Sequence, residues 1–183
     1  MEKLIEIIKN NNIRIIAIDG RCASGKTTYT KQLAKELNAE IIHMDDFFLS
    51  NNLKTNERLN EIGGNIDYER FILDVLEKLK TNNSFTYKRF DCSSQSLTKE
   101  INIKNNSYVI IEGTYAHHPL FVKYYDYKVF MTVNETKQIN RLEKRNPKLL
   151  NRFINEWIPL EEMYFQTLNV KEQADYLIDT SNS

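Results

Sequence analysis

Gly20, Gly25, Lys26 and Thr27 fall at the spacing G-x-x-x-x-G-K-[ST]. A phosphate group needs many hydrogen-bond donors and little bulk around it. Two glycines let a loop turn its backbone N–H groups inward around an oxyanion. Ala23 and Ser24 lie inside that loop, and Thr28 follows it on the helix that begins near Lys26. That helix adds free N–H groups and the positive end of its dipole. Lys26 can reach the β- and γ-phosphates of a nucleoside triphosphate, and the Thr27 hydroxyl suits Mg²⁺. A strand before the loop and an amphipathic helix after it are the context this chemistry requires.

Carboxylates appear at two other strand ends. Asp45 and Asp46 follow "IIHM", and Glu112 with Gly113 ends "YVII". In an open parallel sheet the carboxyl ends of the strands form the ligand crevice. A carboxylate at Asp45 can orient an acceptor hydroxyl and take its proton during phosphoryl transfer. Glu112 comes within reach of Mg²⁺ or its waters if its strand is the neighbour of the strand that leads into the phosphate loop. An Asp directly after a strand also serves as a cap or turn former, which accounts for Asp46.

Five short apolar runs must position these groups: 13–19, 40–44, 107–112, 127–133 and 175–179. Consecutive Ile and Val residues point to strands covered on both faces. Helical patterns fall between them at 26–37, 68–80 and 135–145, and 147–173 reads as largely helical, with Pro159 as a break. Strands alternating with helices predict an α/β fold with a mainly parallel sheet. Residues 85–103 alternate like two exposed strands and suggest a small β-arm beside that sheet.

Bulk properties narrow the function classes. The chain of 183 residues has 25 Lys plus Arg against 25 Asp plus Glu. A balanced charge lacks the field that draws nucleic acid or anionic lipid. Two cysteines, Cys22 and Cys92, are too few for a disulfide framework. "MEKLIEIIKNNN" offers no clean apolar core of a leader, and no apolar run approaches a membrane span. A cytoplasmic protein without nucleic-acid or membrane partners is expected. The oligomeric state is left open.

"DGRCASGKTT", "MDDFF" and "IIEG" together resemble the P-loop kinases of the uridine kinase, nicotinamide riboside kinase, phosphoribulokinase and pantothenate kinase group. The resemblance covers nearly the whole chain. It implies one P-loop kinase domain over 1–183, a three-layer α/β/α fold with a five-stranded sheet in the order 2-3-1-4-5, and a helical lid at about 141–152. It implies ATP and Mg²⁺ as cofactors and a small-molecule hydroxyl as acceptor. By position, Asp45 matches the catalytic aspartate and Glu112 the glutamate near Mg²⁺ and acceptor. Asp67 matches a group on the acceptor's ribose, with an N-cap as the alternative. Arg141 and Arg145 match the arginine-bearing helix before the lid, and Phe90 falls beside the acceptor. The sequence departs from uridine kinases at "FDCSSQ", where Cys92 replaces an aromatic and Gln95 a histidine.

Other readings have their own requirements. A nucleotide-dependent switch that reads guanine needs an N-K-x-D stretch, which is absent from the sequence. A nucleoside monophosphate kinase needs a basic pocket for the acceptor's phosphate, with Arg58 and Arg70 as the nearest candidates. His117 and His118 follow the Glu112 strand end and read best as loop structure, since adjacent histidines are poor joint metal ligands.

Overall fold

Alternation along the central strands sends side chains to both faces of one sheet, so each face needs its own helical cover. Ile16 and Ile18 of β1 (Ile15–Gly20) join a buried cluster with Leu4 and Ile8 of α1 (Glu2–Asn10) and Leu33 and Leu37 of α2 (Lys26–Leu37). Ile15 belongs to the opposite cluster, with Phe71, Val75, Tyr164 and Phe165. The computed structural model describes residues 1–81, 83–104 and 108–182.

The remaining strands are β2 (Glu40–His43), β3 (Phe85–Asp91), β4 (Ser96–Ile103), β5 (Val109–Glu112), β6 (Tyr127–Thr132) and β7 (Tyr176–Asp179). Five of them form a sheet in the order β2-β5-β1-β6-β7, with every pairing parallel. Counted along the chain without the arm, this is the expected order 2-3-1-4-5. Ser107, the expected start of the third strand, lies outside the described residues. The expected arm is an antiparallel hairpin of β3 and β4.

Two helical expectations need correction. The N-terminal α1 was not anticipated; Leu4 and Ile8, four apart, are both fully buried by it. Pro159 does not break the helix. It sits in the first turn of α6 (Ile158–Thr167; α3, α4 and α5 are Asn56–Asn60, Tyr68–Phe71 and Glu135–Arg145). A π turn at Phe153–Trp157 runs directly into α6, and the wider winding absorbs the missing proline N–H. The helix ends at Thr167, short of the expected 173. Helix α4 likewise continues through a π turn, Ile72–Leu76, into Glu77–Leu79. No helix among the described residues is long and apolar enough to cross a membrane.

The hairpin is fastened to the sheet edge by Asp46. This carboxylate is buried at 2% exposure. Tyr87 Oη donates to its Oδ2 at 2.8 Å, and Arg89 Nε pairs with its Oδ1 at 2.8 Å. Arg70 donates to the Asp46 carbonyl at 2.6 Å. Removing the Tyr87 hydroxyl leaves a buried oxygen without that donor. Tyr87→Phe should lose about 1–3 kcal/mol of stability, read as a lower urea midpoint. An unchanged midpoint would sink this account of the tether.

Candidate functional site

Gly20–Thr27 forms a tight loop from β1 into α2. Gly25, at φ +94°, is the N-cap of α2, and Ala23 also adopts positive φ. Lys26 is 9% exposed and folds back on the loop, its Nζ donating to the carbonyls of Gly20 at 2.5 Å and Arg21 at 2.9 Å. Ser24 is buried, whereas Thr27 and Thr28 face outward at the start of α2.

Strand register explains what stands beside the loop. In the β1–β5 pair Ile18 aligns with Glu112, and in the β2–β5 pair His43 aligns with Glu112. Glu112, 5% exposed, therefore reaches both neighbours. Thr27 Oγ1 lies 3.3 and 3.4 Å from its two carboxylate oxygens. His43 Nδ1 donates to Oε1 at 2.6 Å. That hydrogen bond raises the His43 pKa against the opposing effect of burial. His43 is missing from the sequence reading; the signal for it was its register opposite Glu112, visible only once β2 is placed beside β5.

Asp45 and Asp46 part company after β2. Asp46 turns inward to the hairpin, as described. Asp45 keeps a solvent-exposed surface, yet protein atoms surround it on its other sides. This crowding, then the charge of Glu112, pushes its carboxyl above the ordinary aspartate range, with Lys26 opposing. With β5 between β2 and β1, Asp45 stands about 10 Å across the sheet edge from the loop.

A cavity of about 300 Å³ lies between the segment after β2, the start of α4 and the hairpin, and Asp45 is not among the residues that line it. Asp67, Phe90, Phe48, Arg70 and Gln95 line it. Asp67 is an N-cap, its Oδ1 accepting from Arg70 N at 3.1 Å. Asp67 is thus a helix cap and a cavity wall at once. Gln95, at positive φ, is committed to the hairpin turn. Its Oε1 accepts from Asn51 N at 2.9 Å and its Nε2 donates to the Cys92 carbonyl at 2.7 Å.

The later part of the chain straps the loop down. Cys22 N donates to Glu161 Oε2 at 2.9 Å, and Arg21 Nε pairs with Glu162 at 2.6 Å. Gln138 Nε2 donates to the Cys22 carbonyl at 3.1 Å. Thr180 Oγ1 donates to the Ser24 carbonyl at 2.9 Å. Arg141 Nη1 donates to the Ala23 carbonyl at 3.0 Å, so this residue meets the loop through its backbone. Arg145 is exposed at the end of α5, its guanidinium 5.9 Å from the centre of the Phe153 ring. Glu161, 7% exposed, also accepts from Thr114 Oγ1 at 3.0 Å, and burial raises its pKa. Sequence inspection missed Glu161 because nothing local marks a carboxylate that works across 139 positions.

Comparison with known proteins agrees with this architecture. The structure described as "a Possible Uridine Kinase from Bacillus stearothermophilus" superposes with a TM-score of 0.72, covering 97% of this chain and 94% of that one at 21% identity. At that identity the likeness is one of fold alone. Two curated relatives carry the name tRNA dimethylallyltransferase. The one from Fervidobacterium nodosum is 22% identical over 148 residues, 81% of this chain and 47% of the relative. The one from Anoxybacillus flavithermus is 27% identical over 161 residues, 86% of this chain and 49% of the relative. The chain spans about half the length of these curated relatives. Residues 16–156 match the AAA_18 family model, described as an AAA domain, and a match over that much of the chain places this protein in that family.

Proposed function

We propose that this protein is an ATP- and Mg²⁺-dependent kinase that transfers the γ-phosphate to a hydroxyl of a small nucleoside-like metabolite. The observation that carries the reading is Glu112, whose carboxylate sits 3.3 Å from Thr27 on the same sheet edge as Asp45. Gly20, Ala23, Ser24, Gly25, Lys26, Thr27 and Thr28 hold the phosphates. Thr27 and Glu112 offer hard oxygen donors, which fit Mg²⁺, an ion commonly held by one or two protein groups plus substrate phosphates. When bound, the ion neutralises charge on the phosphate oxygens. Lys26 adds a fixed cation there. His43 holds one Glu112 oxygen and so sets the direction of the other. Asp45 accepts the proton of the attacking hydroxyl, while Asp67, Phe90 and the cavity they line orient the acceptor. Arg141 and Arg145 head the segment 141–152, which would close over ATP and exclude water.

Two features favour a neutral acceptor over a monophosphate. Arg58 spends four hydrogen bonds on Gly64, Ile66 and Glu69. Arg70 spends three on Asp67, Lys88 and Asp46. Neither guanidinium is left to read an acceptor phosphate without breaking the local structure. The bonds that tie Gln95 to Asn51 N and to the Cys92 carbonyl argue in turn against a base-reading role for that side chain.

ADP release measured against a panel of nucleosides, vitamins and sugars tests the reading, beside a parallel assay of dimethylallyl transfer to tRNA. Acceptor-dependent ADP release is expected. Hydrolysis indifferent to every acceptor, or dimethylallyl transfer alone, would overturn it. A pH profile of kcat/KM adds an independent check. Asp45 works as the carboxylate and its pKa is raised, so activity should fall with acidification at a pH above the ordinary aspartate range.

A further inference from the structure

His43 ends β2, an edge strand of the main sheet, directly opposite Glu112 of β5. Residues opposite one another on neighbouring strands share a face of the sheet, so the imidazole and the carboxylate meet there. His43 Nδ1 lies 2.6 Å from Glu112 Oε1. An ionised carboxylate has no hydrogen to give, so Nδ1 carries it. His43 is half-buried and Glu112 almost wholly buried. A hydrogen bond to a buried charged acceptor is among the costlier ones to give up.

Thr27 treats the two carboxylate oxygens alike. Its Oγ1 is 3.3 Å from Oε1 and 3.4 Å from Oε2. Thr27 is exposed, and a cation held on its hydroxyl faces a carboxylate that could offer both oxygens at once. Among the described residues, His43 is the side chain that breaks this symmetry. It holds Oε1 and leaves Oε2 for the cation.

Cations differ in what they ask of a carboxylate. Ca²⁺ gathers many oxygens in a flexible geometry and readily takes both oxygens of one carboxylate. Mg²⁺ is smaller, keeps several waters and is satisfied by single oxygens in octahedral geometry. A held Oε1 costs Mg²⁺ nothing, whereas Ca²⁺ must break the His43 bond to chelate Glu112. We infer, on the reading of Thr27 and Glu112 as cation ligands proposed above, that His43 is a positioning residue that sets the preference of this site for Mg²⁺ over Ca²⁺ by leaving Glu112 one free oxygen.

Calorimetric titration of the full chain with the non-hydrolysable analogue AMP-PNP reads this preference without turnover, in Mg²⁺, in Ca²⁺ and in EDTA. The parent should bind the Mg²⁺ complex about tenfold or more tightly than the Ca²⁺ complex, as the loss of one buried hydrogen bond implies. His43→Val suits a strand and removes the donor, and its preference should shrink to about threefold or less. His43→Asn sets an amide N–H near the place of Nδ1 and should keep the preference of the parent. A purely structural role would weaken both complexes alike and leave their ratio unchanged. Thermal unfolding checks that each variant is folded. His43→Phe, which keeps a ring without the donor, replaces His43→Val should that variant fail to fold. A donorless variant with the parent's ratio of Mg²⁺ to Ca²⁺ affinity overturns the role of His43 and leaves the proposed cation site standing. A parent that binds both complexes equally well, yet better than in EDTA, does the same. Equal binding with either cation and in EDTA overturns the cation site itself, and the role of His43 with it.

Discussion

An Asp45→Asn variant is expected to lose phosphoryl transfer by about a thousandfold while binding ATP with affinity within about twofold of the parent. The amide keeps the size of the side chain and its exposed position but cannot accept a proton. Asp45 also feels the charge of Glu112, so the neutral side chain relieves a repulsion and gives no reason for nucleotide binding to weaken. The neighbouring residue supplies the control. Asp46→Asn disturbs the contacts with Tyr87 and Arg89, so its main effect should be a lower unfolding midpoint. Single-turnover kinetics and calorimetric titration of ATP separate the two outcomes. Turnover within tenfold of the parent in Asp45→Asn would remove this residue from the chemistry.

Gly20→Ala should unfold the protein or come close to it. At Gly20 the backbone has φ +138°, and a Cβ there would stand 1.9 Å from the Met131 carbonyl oxygen of β6. No side-chain rotation relieves a clash with a strand backbone. The loss should reach about 4 kcal/mol or more, a large share of the 5–15 kcal/mol typical of a whole domain. Gly25→Ala gives the contrast. It lies at φ +94° with nothing within 4 Å of the added carbon, so only backbone strain of about 1–2 kcal/mol is expected. Urea titrations of the two variants should therefore differ widely. Equal midpoints would refute the steric account of Gly20.

The main sheet was legible because its strands are short runs of Ile and Val that need cover on both faces, and because the helices between them keep a helical stripe. Glu112 and Thr27 could be paired only through the strand order that the resemblance implies, since short apolar runs do not by themselves say which strand lies beside which. The residues that escaped notice act at a distance or through register. His43 looks like an ordinary strand-end residue until β2 lies beside β5. Glu161 sits in an aromatic helix whose pattern reads as core, and Tyr164 and Phe165 are core, yet the carboxylate between the sheet and the loop is a fastening. Pro159 misled because proline disfavours the helix interior, and a π turn is not encoded by any short pattern. Asp67 had two readings from sequence, and the structure realises the cap while leaving the same side chain on a cavity wall.

The straps on the phosphate loop set an order on how the protein is made. Ser24 and its Thr180 partner are 156 positions apart, and Cys22 waits 116 positions for Gln138. At the usual pace of synthesis that separation corresponds to roughly ten to thirty seconds between the emergence of a loop residue and of its last fastening. Contacts of such long range form late and slow the final closure of a fold. The nascent chain therefore carries the glycine-lysine-threonine signature well before its cradle is rigid. The final shape of the loop waits for Gln138 and Thr180 to be made, and it reports that the distant strand and helices have docked.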